Sequence, residues 1–91
     1  MKVTSSNLIG NAVRFHRRRG GLSQHALADL AGVGKTSVFD IEKGKSTVRL
    51  ATLMAVLHVL NIDLVLDSPL MTECSTALTD VRAEPDEDSI R

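Results

Sequence analysis

The chain has 91 residues, of which 43% are hydrophobic and only 2% aromatic, so it can form one small domain with an aliphatic core. Its single cysteine excludes an internal disulfide and fits a reducing cytoplasm. Nine Lys and Arg against three acids give residues 1–60 a charge of +6, and residues 61–91 carry −6. This split predicts a basic surface that binds a polyanion, followed by a separate solvated segment.

Three short helices are predicted in the first half of the chain. The spacing of apolar residues predicts them over 7–19, 24–31 and 35–43, with cap-type serines before the first two and a glycine after each. The residues expected to face the core are Ile9, Ala12, Val13 and His16 in the first helix, Ala26, Leu27, Leu30 and Ala31 in the second, and Val38 and Ile41 in the third.

The second half of the chain predicts a helix, a strand and a tail. Apolar residues at 50, 53, 54, 57 and 60 indicate the buried face of a fourth helix. The run "NIDLVLD" then alternates, which predicts a strand over 61–67 with Ile62, Leu64 and Leu66 on one buried face. Residues 68–91 are polar and acidic without a period, so we expect a disordered tail. Polar residues interrupt the apolar run 50–66, so no membrane span is expected. The first 19 residues lack an apolar h-region of usable length, so no secretory leader is expected.

The stretch "AGVGKTS", residues 31–37, fits two kinds of site. A glycine followed by Lys-Thr ends a nucleotide-binding P-loop, but that loop also needs a glycine at the position of Asp29, after a buried strand. Here the preceding residues have helical spacing, and a carboxylate at Asp29 would repel phosphates. A helix-turn-helix explains more of the stretch, since Ala28 is small where two helices cross and Gly32 lies at the bend.

The segment "LSQHALADLAGVGKTSVFDIEKGK" resembles the helix-turn-helix of the phage repressor and Cro superfamily, with "IGNAVRFHRRRGG" as its first helix. The following "GKSTVRLATLMAVLHVLNIDLVLD" is similar to the HipB antitoxins, in which a helix leads into a C-terminal strand. The resemblance covers residues 1–67. It implies an all-α fold, a repressor-like DNA-binding domain of four to five helices whose C-terminal β-strand pairs across a homodimer through Ile62, Leu64, Val65 and Leu66.

The resemblance also implies which residues contact DNA. The third helix would enter the major groove, where residues near its start contact base edges and others hold phosphates. The implied DNA-binding residues are Gln24, Lys35, Thr36, Ser37, Phe39, Lys43 and Lys45. Phe39 occupies a place where the family often has a small polar residue, so either contact with a base step or partial cover of the core is open. Asp40 would face phosphate unfavourably unless a lysine or a water intervenes.

Other polar residues are expected to be structural or solvated. Arg17 and Glu42 match an ion pair that recurs in phage-repressor domains. Arg14, Arg18 and Arg19 are instead expected to form a solvated basic face. His16 is expected to be half-buried rather than a metal ligand, because no cluster of cysteines or carboxylates accompanies it. No arrangement of nucleophile, base and orienting group is visible, so we expect no enzymatic activity, metal or cofactor.

These observations favour a cytoplasmic, nucleoid-associated repressor that binds a palindromic operator as a homodimer. By resemblance it would be the antitoxin of a HipBA-type operon that regulates its own promoter, with a HipA-type kinase toxin as partner. A further small subunit in this complex is left open. Two alternatives stay open. One is a dimeric phage or host repressor without a toxin, and the other is a protein–protein adaptor that has lost DNA binding.

Overall fold

The computed structural model describes residues 1–79, which form five helices. They are α1 (Ser6–Arg19), α2 (Gln24–Ala31), α3 (Lys35–Glu42), α4 (Leu50–Val59) and α5 (Met71–Thr79). Helix α3 packs against α1 and α2, and α4 packs against α2. The all-α fold and the first four helices expected from the sequence are therefore confirmed, with ends that differ by about one residue.

The helices begin and end through local signals in the sequence. The hydroxyl of Ser5 accepts from the backbone N–H of Leu8 at the start of α1, and Ser23 caps α2 in the same way. Each of α1 to α4 is followed within two residues by a residue with positive φ, and the backbone N–H after that residue bonds back into the last turn. The residues with positive φ are Gly21, Gly32, Gly44 and Asn61.

The core is small and aliphatic, as the composition requires. It is built from one or two residues of each of α1 to α4, and full burial of such a Val or Leu contributes about 1.5–3 kcal/mol. The buried residues are Val13, Leu27, Ala28, Val38, Ile41, Val56 and Leu57. One face of α3 thus packs in the core, and the opposite face is exposed to solvent.

Gly10 allows α1 to approach α3 closely. A Cβ at this position would collide with the backbone carbonyl oxygen of Ile41 and lie 2.9 Å from that of Glu42. The backbone of α1 therefore rests directly on the last turn of α3, which fixes where that turn sits. Nothing in the local sequence pattern marks this contact.

Three apolar residues predicted to face the core do not. Leu50 and Met54 of α4 and Leu30 of α2 are exposed, and Val56 is fully buried instead. The run "LATLMAVLHV" is apolar on almost every side, so its period does not indicate which side faces the core. The exposed residues of α4 leave an apolar strip on the surface of the single chain.

The segment after α4 differs from the prediction. Within residues 1–79 no strand forms, and 62–68 run without regular structure. Ile62 packs against the core, but Leu64 and Leu66 are 51% and 74% exposed, so the expected buried face over the helices is wrong beyond Ile62. A strand needs a partner for its backbone groups, so pairing with a second chain stays a prediction.

The predicted disorder of 68–91 is wrong for Met71–Thr79, which form α5. This helix begins after Pro69, and it buries none of its residues. Its hydroxyl side chains satisfy backbone carbonyls one turn back, as Thr76 does with Thr72 at 3.0 Å. The helix is therefore held by local bonds rather than by core packing. The rest of the predicted tail, 80–91, lies outside the described residues.

Candidate nucleic-acid interface

The turn between α2 and α3 presents the start of α3 to solvent. Gly32 has φ 70°, a left-handed conformation that costs glycine little, and the N–H of Val33 donates to the carbonyl of Ala28 at 3.0 Å. Gly34 then precedes α3 without a side-chain cap on the first helical N–H groups. The N-terminus of α3 therefore carries free donors and the positive end of the helix dipole.

The first residues of α3 are placed as the helix-turn-helix prediction requires. Lys35 and Thr36 are exposed, Ser37 is half-buried, and Val38 is fully buried against α1, α2 and α4 residues in the core. In the described part of the chain no carboxylate lies within 4.0 Å of the Lys35 ammonium. The lysine and the two hydroxyl groups are therefore available to a ligand.

Phe39 lies on the surface one turn further along α3. It is 46% exposed and does not belong to the core cluster, and the Lys43 ammonium lies 5.3 Å from the centre of its ring. A cation over an aromatic face is attracted by the ring quadrupole. Of the two alternatives left by the sequence, the structure thus favours a surface role for Phe39 over cover of the core.

Lys45, in the loop after α3, is paired with an acid. Its ammonium lies 3.5 Å from a carboxylate oxygen of Asp40, and its backbone N–H donates to the Asp40 carbonyl at 3.0 Å. The loop is also tied to α1, because the hydroxyl of Ser6 donates to the carbonyl of Gly44 at 2.6 Å. Lys45 is therefore the lysine that would have to lie between Asp40 and a phosphate for Asp40 to be tolerated there.

A buried ion pair anchors the other end of α3. Arg17 donates from Nε to Oε2 of Glu42 at 2.6 Å and from a terminal nitrogen to Oε1 at 3.0 Å. The Arg17 and Glu42 side chains are 11% and 3% exposed. The predicted structural pair is therefore present, and its fork-to-fork geometry is the strong form of such a bond.

Further groups of α1, of α2 and of the loop between them join this network. Gln24, the first residue of α2, donates its amide to Oε1 of Glu42 at 3.1 Å, and Arg17 also donates to the carbonyl of Leu22 at 2.8 Å. Arg14, expected on a solvated face, places its Nε 3.9 Å from the same Oε1. Gln24 thus braces α3, and its contact with a phosphate stays a prediction.

The network shifts the pKa of both ionised groups. Burial acts to raise the pKa of Glu42, but the hydrogen bonds from Arg17 and Gln24 and the charges of Arg17 and Arg14 outweigh it, so this pKa lies below its usual range. The hydrogen bond from Glu42 raises the pKa of Arg17 despite burial. Both groups are therefore charged at neutral pH.

His16 is not half-buried as predicted. Its ring is exposed and bonds from Nδ1 to the carbonyl of Ala12 at 2.7 Å, whereas the next residue, Arg17, is buried. Helix α1 turns its buried side toward α3 at Gly10, Val13 and Arg17, a spacing of three and four residues. The sequence pattern did not predict that Arg17, and not His16, is the buried residue, because an arginine within an apolar stripe is usually interpreted as a surface residue.

The described residues offer little for other chemistry. No group of three or more His, Cys, Asp and Glu side chains among residues 1–79 could hold a metal ion. None of the five helices is long and apolar enough to cross a membrane. The polar features of this part of the chain are instead concentrated around α3.

Comparison with known proteins agrees with this geometry. Residues 13–66, more than half of the chain, match the HTH_3 family model, described as helix-turn-helix. The chain is 36% identical over 61 residues to the "Uncharacterized HTH-type transcriptional regulator y4mF" of Sinorhizobium fredii, covering 67% of this chain and 80% of that protein.

Solved structures of HipB share the fold. A chain of the "Structure of HipA-HipB-O2-O3 complex" superposes with a TM-score of 0.69 at 23% sequence identity, covering 76% of this chain and 97% of that one. The "HipB-O4 20mer complex" gives 0.68 at the same identity and coverage. The domain boundaries of the family match and the exposed start of α3 together show that this chain belongs to the helix-turn-helix family of DNA-binding transcriptional regulators and has a HipB-like fold.

Proposed function

We propose that this protein is a dimeric repressor that binds a palindromic operator in its own promoter and acts as the antitoxin of a HipBA-type operon. The observation that carries the DNA-binding half of this proposal is the exposed start of α3, with Lys35 and Thr36 free and the far end of the helix locked by Arg17 and Glu42. A helix fixed at one end and free at the other can hold a defined position in the major groove.

The roles of the individual residues follow from their chemistry. Lys35 can donate to O6 and N7 of guanine, and the methyl group of Thr36 can contact that of thymine. Lys43, Lys45 and the exposed face of Gln24 would hold phosphates, which fix the docking position without recognising sequence. The charge of +6 on residues 1–60 supports attraction to a polyanion.

Dimerisation would use the segment 61–67. Leu64, Val65 and Leu66 are 51%, 78% and 74% exposed in a segment without regular structure, whose backbone has no partner strand within residues 1–79. Antiparallel pairing with the same segment of a second chain would satisfy these groups and cover the apolar side chains. Two copies of α3 would then face successive major grooves of a palindrome.

The DNA-binding proposal is tested by titrating the full chain with a duplex taken from its own promoter region and with a scrambled duplex of equal length. We expect preference for the promoter duplex and a log–log salt slope of about −0.9 for each phosphate contacted. The absence of both a salt slope and a preference would refute operator binding.

Lys35→Ala tests the base contact. Loss of one specific contact should weaken binding to the promoter duplex by about 1–3 kcal/mol, with little effect on the scrambled duplex beyond the loss of one charge. Lys2→Ala removes the same charge outside the helices and serves as the matched control. Equal losses for the two variants would show that Lys35 contributes charge alone.

The toxin partner is proposed from fold similarity to HipB in a HipA–HipB complex. A gene for a HipA-type kinase beside the gene of this protein, and co-elution of the two purified products from a sizing column, would support it. If the protein binds its operator but elutes separately from such a kinase, it is a repressor without a toxin partner. That outcome corresponds to the alternative of a dimeric phage or host repressor.

A further inference from the structure

We propose that Asp40 competes with DNA phosphates for Lys45 and so sets the affinity of this protein for DNA independently of base sequence. This inference rests on the proposed DNA-binding function and deepens it. It assigns a role to the one acidic side chain that faces the cleft beside the start of α3.

A shallow cleft of about 170 Å³ lies between α3, the loop that follows it and the first turn of α4. It contains one ammonium, one guanidinium and several hydroxyl groups, which are the donors that phosphate oxygens accept from. The lining residues are Ser37, Asp40, Lys45, Thr47, Val48, Arg49 and Thr52. Asp40 is thus an acid placed among groups suited to an anion.

The backbone holds Asp40 and Lys45 together. The N–H of Lys45 donates to the Asp40 carbonyl at 3.0 Å as α3 ends, and this leaves the two side chains 3.5 Å apart. The Lys45 side chain is 56% exposed, so the pair is screened by water and an incoming phosphate can displace the carboxylate. The displaced Asp40 carboxylate stays near the phosphate and repels it. This repulsion lowers the free energy gained when Lys45 contacts a phosphate.

Asp40 has no part in the network that anchors α3. The side chains of Arg17 and Gln24 donate to the Glu42 carboxylate and, from Arg17, to the Leu22 carbonyl, but not to Asp40. What Asp40 gives the fold is its backbone carbonyl. Asp40→Asn keeps that carbonyl and nearly the same shape while it removes the charge. The variant therefore isolates the competition from any structural role.

The experiment compares the full chain with Asp40→Asn and with the control Asp29→Asn. Asp29 is an exposed acid of α2 that lies 3.3 Å from His25, so its variant makes the same change in charge away from the cleft. Binding to the promoter duplex and to a scrambled duplex is followed by fluorescence anisotropy from about 0.05 to 0.3 M salt. Thermal melting of each variant checks that the fold is kept.

We expect Asp40→Asn to bind both duplexes about 3–10-fold more tightly than Asp29→Asn at about 0.1 M salt, with a salt slope steeper by about 0.9 for each chain that gains a phosphate contact. Lys45→Ala should weaken binding more in the Asp40→Asn background than in the unchanged chain, because the lysine is then free. Asp40→Glu keeps the carboxylate and should retain the affinity and slope of the unchanged chain.

Equal affinities and slopes for Asp40→Asn and Asp29→Asn would overturn the inference while leaving the proposed function intact. Weaker binding of Asp40→Asn to the promoter duplex alone would also overturn it, since Asp40 would then contact a base, as a carboxylate can with cytosine N4. If Asp40→Asn is unstable, the test uses the salt slopes of DNA binding for Lys45→Ala and Asp40→Glu, each compared with that of the unchanged chain. A slope for Asp40→Glu that differs from that of the unchanged chain would then overturn the inference. An unchanged chain that binds neither duplex would refute the proposed function and this inference together.

Discussion

Arg17→Ala should destabilise the fold rather than remove a DNA contact. The substitution takes two hydrogen bonds, at 2.6 and 3.0 Å, from a Glu42 side chain that is 3% exposed. It also removes the donor to the Leu22 carbonyl, which joins α1 to the loop before α2. Glu42 keeps the amide of Gln24 at 3.1 Å and the more distant Arg14 at 3.9 Å.

The size of the effect follows from this geometry. Removing one partner of a buried ion pair costs about 3–5 kcal/mol, and the two groups that stay with Glu42 reduce this to about 2–4 kcal/mol. In a domain of this size each kcal/mol lowers Tm by about 4–8 °C, so we expect a fall of about 10–30 °C. Arg18→Ala removes a neighbouring exposed arginine of α1 and should change the free energy of unfolding by less than about 0.5 kcal/mol.

The pH dependence gives an independent check. The pKa of Glu42 in the fold lies below its unfolded value of about 4.3, so the pair stabilises the fold above that pH and this contribution is lost as pH falls through the lower folded pKa. The raised pKa of Arg17 has no effect below pH 10 because arginine stays charged. Arg17→Ala removes the main group that lowers the pKa of Glu42 while burial still acts to raise it, so we expect acidification to destabilise the variant less than the unchanged chain.

The assay is thermal unfolding by circular dichroism at equal chain concentration, from pH 7 down to about pH 3, so that the range extends below the unfolded pKa of Glu42. We expect the difference in Tm between the unchanged chain and Arg17→Ala to narrow as the pH falls, while Arg18→Ala follows the unchanged chain throughout. If Arg17→Ala melts within about 2 °C of Arg18→Ala and yet abolishes DNA binding, the reasoning is wrong and Arg17 is a DNA contact.

Three further changes test the contacts around α3 and the proposed dimer. Gly10→Ala should cost at least about 1–3 kcal/mol in urea unfolding because its Cβ meets the backbone of α3, whereas Gly34→Ala, whose Cβ meets only a side-chain oxygen at 3.9 Å, should cost much less; equal costs would contradict the close packing of α1 on α3. Gln24→Glu should destabilise more than Gln24→Ala in the same assay, because it sets a second carboxylate against Glu42, and the reverse order would exclude the brace. Val65→Pro should lower the sedimentation coefficient at a fixed concentration while Val65→Thr does not, and a proline variant that remains a tight dimer would place the interface elsewhere.

Local signals made the helix-turn-helix predictable from the sequence. The capping Ser23 and the left-handed Gly32 act within a few residues of their own positions, so their effect on the chain can be inferred without knowing the fold. The ion pair of Arg17 with Glu42 is different, because it joins residues 25 apart in the chain. That pair came from the resemblance to phage repressors and not from the residue pattern itself.

What the sequence could not predict depends on contacts between elements. The contact at Gly10 needs the position of the α3 backbone, and the joining of Arg14 and Gln24 to Glu42 needs the ends of three helices together. Helix α5 was missed because its residues have no apolar period to mark it, and it buries no residue in the core. The face of α4 was wrong because an almost wholly apolar helix has no distinct polar side.

Glu42 is a carboxylate in the last turn of α3, where the helix dipole makes a negative charge unfavourable. It is tolerated because Arg17, in the last turn of α1, and Gln24, at the first position of α2, both donate to it. The unfavourable charge therefore becomes the point at which three helices are held together. Because every one of these bonds acts on the C-terminal end of α3, the N-terminal end keeps Lys35 and Thr36 uncommitted. Stability and the proposed DNA recognition can thus vary independently along a helix of eight residues.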